Sequence, residues 1–206
     1  KFEQGSFILG KTNPGSKVFI DKRNIRVSKE GFFAFGLDRD RKNDVTIRIY
    51  KDSKLTTIYK KVLKRDYKIQ RIDGLPPKQV TPPPEVYERI KSDNKLIGEA
   101  RSLDSTYDFF KNKFILPLEK YVTTGVYGSQ RILNGKPRRP HYGIDFHAPE
   151  GTAVKAMMDG EVTLAESDMY FTGGTLIFDH GHGISTLFMH MKDINVKVGQ
   201  KDKKGQ

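Results

Sequence analysis

The sequence contains no cysteine, which excludes disulfides, thiolate metal ligands and cysteine nucleophiles. Any bound metal must therefore be held by His, Asp or Glu. No apolar run approaches the ~20 residues that a membrane-spanning helix requires, so we expect no span in this chain. No charged, apolar and then small-residue leader opens the sequence, and residue 1 is Lys rather than Met.

Acidic residues are also comparatively few, 25 against 37 Lys and Arg, and the net charge is +12. Such a balance favours a polyanionic neighbour, such as nucleic acid, anionic lipid or an acidic wall polymer. The excess is confined to the N-terminal part, because residues 1–84 hold 20 basic and 9 acidic side chains, whereas residues 113–206 hold 12 and 10. Two interpretations stay open: a solvated outer face, or a surface that docks a polyanion.

Short apolar stretches separated by turn residues fill the first 73 residues, a pattern typical of a small antiparallel β-sandwich. From residue 113 onward, we expect further strands in an antiparallel sheet. The predicted C-terminal strands are Thr152–Met157, Glu161–Ala165, Thr175–Phe178 and Thr186–Met189.

Five of the ten prolines lie in residues 74–84, which predicts a stiff extended connector. Pro83-Pro84 leads into an amphipathic helical pattern that extends to about residue 103. We therefore predict a mainly β chain with a basic N-terminal β-domain over 1–73, a linker and helix over 74–112, and a C-terminal β-domain over 113–206.

All five histidines follow residue 140, and in a chain without cysteine this clustering is the strongest chemical signal. His141 and Asp145 are four residues apart, and both side chains are good zinc ligands. On a straight strand they would stand about 13 Å apart, so a shared ion requires a bend, which Gly143 can provide. On spacing alone, purely structural roles for both residues remain the alternative.

The remaining histidines allow more than one interpretation. His180-Gly-His182-Gly indicates a hairpin turn first, with metal ligation as the alternative. His190 ends an apolar run, as either a half-buried structural residue or a positioned proton donor. His147 shares the phase of Asp145 and has no stronger claim. No phosphate-binding loop, Gly-x-Ser-x-Gly, His-Glu-x-x-His or RNA-binding signature occurs, so we expect no nucleic-acid partner.

Several motifs in consistent order resemble the lysostaphin/LytM-type zinc metallopeptidases. The likeness runs from about residue 113 to the last residue, and the β-domain, linker and helix upstream look like those of bacterial envelope members. The motifs are Gly125-Val-Tyr-Gly128-Ser-Gln-Arg131, His141-Tyr-Gly-Ile-Asp145, Ala148-Pro-Glu-Gly151-Thr-Ala-Val154, Asp179-His-Gly181, Phe188-Met-His190 and Val196-Lys-Val-Gly199-Gln.

The resemblance implies an antiparallel β-sheet with a central groove, and Zn²⁺ held by His141 and Asp145. Family members complete the site with a His-x-His motif, which does not occur after His190, so the third ligand is expected beyond Gln206. His190 matches a further active-site histidine that orients water or stabilises the oxyanion, with Phe188 where a Tyr is usual. Arg131 is a weaker candidate for a substrate-binding or structural contact.

The preferred hypothesis is an exported zinc endopeptidase of the periplasm or cell envelope that hydrolyses the peptide cross-links of peptidoglycan. Its basic N-terminal domain would dock acidic wall polymer or another envelope protein. The main alternative is a non-catalytic, degenerate or truncated module of the same fold that binds the wall or regulates another wall hydrolase. A weaker one is a polyanion-binding protein led by the basic β-domain.

Overall fold

The computed structural model describes residues 1–75 and 82–206. Pro76 and Pro77 of the expected stiff connector lie outside the described residues. The predicted mainly β fold with an interposed helix is confirmed, and the described residues contain 15 strands and one α-helix. In chain order these are β1 (Phe7–Lys11), β2 (Lys17–Ile20), β3 (Arg23–Ile25), β4 (Phe32–Gly36), β5 (Val45–Lys51), β6 (Lys54–Lys60), β7 (Ile69–Ile72), α1 (Tyr87–Arg101), β8 (Val122–Gly125), β9 (Gln130–Leu133), β10 (Lys136–Pro137), β11 (Asp145–His147), β12 (Gly160–Met169), β13 (Gly173–Gly181), β14 (Ile184–Met191) and β15 (Lys201–Asp202).

The chain divides into two compact units, each composed of segments that are not continuous in the sequence. The first unit comprises residues 1–70 together with 125–131 and 138–144. The second comprises residues 71–124, 132–137 and 145–206. Two short segments from the C-terminal half therefore fold as part of the N-terminal unit.

The first unit contains the expected antiparallel sandwich. One sheet has the order β3-β2-β5-β6, and β1 pairs with β4 in the other. Alternate residues of β5 face the interior, so Val45 and Ile47 are buried while the residues between them are more exposed, as a period of two requires. The core shared by the sheets consists of Val18, Ile20, Phe33, Phe35, Leu37, Val45 and Ile47.

The second unit is built on a four-stranded antiparallel sheet in the order β14-β13-β12-β15. The central strand β13 is buried along almost its whole length, because both faces of the sheet are covered. On one face Leu164 and Ile177 pack with Ala100 of α1, and on the other Val162 and Phe178 pack with Ala156. Predictions of strands at 161–165, 175–178 and 186–189 are confirmed.

The helix α1 is fixed to this sheet by polar contacts as well as by Ala100. The Asp93 carboxylate accepts a hydrogen bond of 2.7 Å from the backbone N–H of Tyr170, and Arg89 donates to the Asp168 carbonyl and carboxylate. The predicted helix is confirmed, with its regular part ending at Arg101. Among the described residues no helix is long and apolar enough to cross a membrane.

The strand predicted over Thr152–Met157 is wrong, although backbone groups of the segment are hydrogen-bonded. Lys155 N–H donates to the Pro117 carbonyl, and Ala156 N–H donates to the Gln206 carbonyl. Its partners are irregular loop segments rather than a neighbouring strand, so no ladder forms. A β-type residue pattern reports only the preference of the segment itself, whereas a strand also needs a partner in register.

Candidate active site

His141 lies in a pair of segments, residues 125–131 and 138–144, that we call the His141 loops. Three backbone hydrogen bonds join them: Gly128 N–H donates to the His141 carbonyl at 2.7 Å, His141 N–H donates to the Ser129 carbonyl at 2.8 Å, and Arg138 N–H donates to the Arg131 carbonyl at 2.8 Å. The backbone bends at Gly143, as the sequence led us to expect, and a Cβ there would lie 3.6 Å from Nε2 of His141. The loops therefore fix the backbone on both sides of this histidine.

The ring of His141 is oriented by the same loops, since its Nδ1 lies 3.2 Å from the Val126 carbonyl oxygen. A carbonyl oxygen only accepts, so Nδ1 carries the proton in this contact and the lone pair of the neutral ring lies on Nε2. Histidines that bind metals use the same arrangement, in which the second ring nitrogen donates to a carbonyl or carboxylate. The orientation of His141 thus fits a metal ligand.

Asp145 begins β11, which pairs with β8. Phe146, between Asp145 and His147, packs edge-on against Tyr121 with ring centroids 4.6 Å apart, and this contact fixes β11 in place. Asp145 and His147, on the opposite phase, are both exposed. A carboxylate presented in this way is a donor that zinc accepts.

His190 lies on β14 at a β-bulge. Leu176 pairs with Phe188 and Gly174 with Met191, so β14 has one more residue than β13 over this stretch. His190 has a left-handed φ of +61°, a conformation that non-glycine residues adopt at a cost of about 1–3 kcal/mol. Its N–H donates to the Thr172 carbonyl at 2.8 Å, and the residue is exposed. Bulges with strained backbone often aim a functional side chain.

Glycine at position 174 makes this bulge possible. A Cβ on Gly174 would lie 2.1 Å from the carbonyl oxygen of Met191, a separation that no side chain tolerates. The absence of a side chain therefore allows β13 and β14 to approach closely beside His190.

The His180–Gly183 segment is a two-residue hairpin turn, as the sequence predicts. His182 and Gly183 connect β13 to β14, and both have positive φ, +54° and +73°. Positive φ at both central positions is the requirement of a type I′ turn, which suits the twist of paired strands. The backbone of this segment is therefore committed to the hairpin.

His180 is fully buried and both of its ring nitrogens have protein partners. Nδ1 donates to the Asp159 carbonyl at 2.7 Å, and Nε2 lies 2.9 Å from the Thr186 hydroxyl. Burial lowers the pKa of His180 below its ordinary value of 6.5, so the ring is neutral at pH 7. With one nitrogen donating and the other accepting, His180 has no lone pair to offer a metal, and its role is structural.

The four site residues expected from the sequence belong to different units. His141 and Arg131 belong to the first unit, whereas Asp145 and His190 belong to the second. Arg131 is exposed on β9, and its role stays a prediction. Across residues 1–75 and 82–206, no group of three His, Cys, Asp or Glu side chains is arranged to hold a metal ion.

Residues 139–206 match the sequence model of Peptidase family M23. Over 67 residues, 32% of this chain and 15% of the relative, the chain is 39% identical to the peptidoglycan DD-endopeptidase ShyA of Vibrio cholerae. It is 29% identical over 129 residues to the cell division protein DipM of Caulobacter vibrioides, covering 62% of this chain and 19% of that one. The glycyl-glycine endopeptidase ALE-1 of Staphylococcus capitis is 37% identical over 67 residues, 32% of this chain and 18% of its own length. The chain thus spans less than a fifth of these relatives.

A crystal structure from Pseudomonas aeruginosa, of a protein assigned to peptidase M23, superposes with a TM-score of 0.71. It covers 100% of this chain and 80% of its own at 22% identity, which shows that the fold is shared. The resemblance to the LytM-type family is therefore confirmed, and the match to Peptidase family M23 extends over residues 139–206.

Proposed function

We propose that the chain carries the catalytic region of a zinc-dependent endopeptidase that hydrolyses peptide cross-links of bacterial peptidoglycan in the cell envelope. One observation supports the proposal most directly: His141, Asp145 and His190 occur in the family's order, inside the segment that matches the M23 peptidases. Two relatives that each match this chain over 67 residues are named as a peptidoglycan DD-endopeptidase and a glycyl-glycine endopeptidase.

In this proposal His141 and Asp145 hold Zn²⁺. When bound, Zn²⁺ polarises the scissile carbonyl and lowers the pKa of water towards neutrality. The Val126 carbonyl keeps the proton on Nδ1 of His141, which leaves the basic nitrogen for the metal.

His190 has a different role, because it is proposed to contact the substrate rather than the metal. Its imidazole donates a hydrogen bond to the carbonyl oxygen on which negative charge develops. Preorganised donors of this kind are worth about 10²–10³ in kcat. The strained bulge provides the preorganisation, since the backbone around His190 is held by β13 and by the Thr172 carbonyl.

The test uses the full-length protein, with bound zinc measured by elemental analysis and hydrolysis followed on purified cross-linked muropeptides. His141→Ala and Asp145→Ala should each lose zinc and hydrolysis together. His190→Ala should keep its zinc and lose about 10²–10³ in kcat. His147→Ala is the matched control, because it removes an exposed histidine from the same strand as Asp145 and should leave both properties unchanged.

Hydrolysis that survives His141→Ala at its original rate would contradict the proposed metal ligand. A protein that sediments with isolated wall but cleaves no muropeptide would instead be the non-catalytic wall-binding module. Zinc bound at full stoichiometry by both His141→Ala and Asp145→Ala would show that the metal, if functional, lies elsewhere.

A further inference from the structure

The His141 loops pack on residues of the N-terminal β-domain that lie far away in the sequence. Arg39 donates from Nε to the Gly128 carbonyl at 2.8 Å, across 89 positions of the chain. Gln130 N–H donates to the Lys68 carbonyl at 3.0 Å. Both contacts lie inside the first compact unit.

Arg39 is unusual for an arginine because only 7% of it is exposed. Its guanidinium lies over the Tyr67 ring at 4.3 Å, and the Tyr67 hydroxyl donates to the Arg39 carbonyl at 3.1 Å. It also pairs with the exposed Asp40 at 2.6 Å. A buried guanidinium needs such partners, since loss of one leaves a charged donor unsatisfied. The side chain is thus held in one orientation, with Nε directed at the loop.

The loop is shaped to receive this contact. Gly128 has a φ of +85°, and a Cβ on it would lie 2.0 Å from the Tyr67 ring. Only glycine lets the backbone approach the Arg39–Tyr67 pair while adopting this conformation. Gly128 thus connects Arg39 to His141 through two hydrogen bonds. Its carbonyl accepts from Arg39, and its N–H donates to the His141 carbonyl at 2.7 Å.

Aromatic packing supports the same arrangement. Tyr127 lies 6.4 Å from Tyr67 and 6.0 Å from Tyr142, the residue next to His141. Burial raises the pKa of Tyr67 and Tyr127, so both phenols stay protonated at neutral pH and Tyr67 remains a donor to Arg39.

We infer that Arg39 is a positioning residue for His141, and that the N-terminal β-domain therefore helps to orient this proposed metal ligand. This inference rests on the proposed function, in which His141 is a metal ligand. Arg39 touches neither metal nor substrate; it acts by holding the Gly128 peptide, which in turn holds the backbone of His141. Residues that orient a ligand typically contribute about 10- to 100-fold to metal affinity.

The experiment compares Arg39→Met with Arg48→Met in the full chain. Arg48 is a matched control, because it also lies in the β-domain, donates to a backbone carbonyl (Asp21, 2.7 Å) and lies over an aromatic ring (Phe19, 5.6 Å), and both of these partners lie outside the His141 loops. The zinc dissociation constant is measured by competition with a chelating dye. Amide hydrogen exchange of Gly128 and His141 is measured without metal.

Arg39→Met should raise the zinc dissociation constant about 10- to 100-fold and speed exchange at both amides, whereas Arg48→Met should change the constant less than about 2-fold. Arg39→Lys, which keeps the charge and the aliphatic stem, serves if Arg39→Met fails to fold, and it should show the same direction. Unchanged zinc affinity and exchange in both Arg39 variants would overturn the inference.

The two proposals fail in distinguishable ways. If His141→Ala binds zinc like the natural protein, the proposed ligand is wrong, whatever Arg39 does. If His141→Ala loses zinc while the Arg39 variants bind it normally, the ligand stands and the positioning role is refuted.

Discussion

Acidification should weaken the second unit through one buried histidine, His180. The ring is fully buried, donates to the Asp159 carbonyl, and lies between aromatic rings: that of Phe178 is stacked at 6.4 Å and that of Phe114 is edge-on at 6.0 Å. Desolvation lowers the pKa of this imidazole below its ordinary 6.5, more than the nearby carbonyl and carboxylates raise it. Protonation would also give Nε2 a proton, although the Thr186 hydroxyl can turn to accept it.

The sign and size of the effect follow from proton binding. Because the unfolded chain takes up this proton at a higher pH than the folded chain, stability is complete above pH 6.5 and falls as the pH drops below it. One proton changes the free energy of unfolding by at most about 1.4 kcal/mol per pH unit. Between pH 6.5 and 5.5 the expected loss is about 1 kcal/mol for a folded-state pKa below this window, because the unfolded-state histidine is half protonated at pH 6.5 and almost fully protonated at pH 5.5.

Other groups with lowered pKa act at a different pH. The backbone N–H of Lys204, more than the Lys203 ammonium, lowers the pKa of Asp159 below its ordinary 3.8. The stabilisation from this carboxylate is present above pH 3.8 and is lost as the pH falls through the lowered pKa. Its contribution is therefore constant between pH 5.5 and 6.5 and adds nothing to the pH dependence in that window.

Native-state hydrogen exchange of the β13 amides measures the opening free energy of this sheet without requiring the whole chain to unfold in one step. The natural protein should lose opening free energy from pH 6.5 to 5.5. His180→Gln, which keeps a donor and an acceptor but does not titrate, should lose the slope, whereas the exposed-site control His147→Gln should retain it. A persistent slope in His180→Gln, or an imidazole titration of His180 by NMR with a midpoint at or above 6.5, would refute the reasoning.

Three further substitutions test the second unit. Gly174→Ala places a Cβ 2.1 Å from the Met191 carbonyl oxygen and should lower the free energy of unfolding by about 1–3 kcal/mol. It should also lower kcat on muropeptides without loss of zinc, and a normal kcat would show that the bulge does not aim His190. Phe110→Ala, at a fully buried ring, should cost about 3–5 kcal/mol in urea unfolding, and a cost below about 1 kcal/mol would contradict that packing. Asp93→Ala should cost about 1.5–3 kcal/mol and speed exchange of the Tyr170 amide; an unchanged amide would exclude the bond in solution.

Local patterns were sufficient to predict most of the strands. Val45 and Ile47 alternate with polar residues and do face a core, because the period of two is imposed by strand geometry itself. The helix was predicted for a similar reason, since Pro83-Pro84 precedes a run with helical spacing, and α1 follows after a 3₁₀ turn at Pro84–Val86. Thr152–Met157 has strand-like residues too, but its hydrogen-bond partners are loops, and no local pattern reports the identity of partners.

The candidate site was predicted only in part, for a related reason. The identities of His141, Asp145 and His190 came from ordered motifs. The bulge under His190 depends on how β13 and β14 pair, and the hold of Arg39 on Gly128 spans 89 positions. Neither leaves a periodic or compositional trace in one sequence. Gly128 was visible as part of a motif, yet the reason that glycine is required there is a tyrosine ring from another part of the chain.

The contacts of three arginines also bear on the two interpretations of the basic N-terminal domain, a solvated outer face or a surface that docks a polyanion. Arg39, Arg41 and Arg48 each donate to backbone carbonyls within the first unit, to those of Gly128, Asp44 and Asp21 respectively. The planar guanidinium suits this role, because it presents several donors in fixed directions. Many of the lysines, by contrast, are exposed, among them Lys22, Lys29, Lys42, Lys54, Lys60, Lys61 and Lys64. Any docking of acidic wall polymer by this domain would therefore depend on exposed cations such as these lysines, whereas Arg39, Arg41 and Arg48 contribute to the fold and Arg39, through Gly128, to the position of His141.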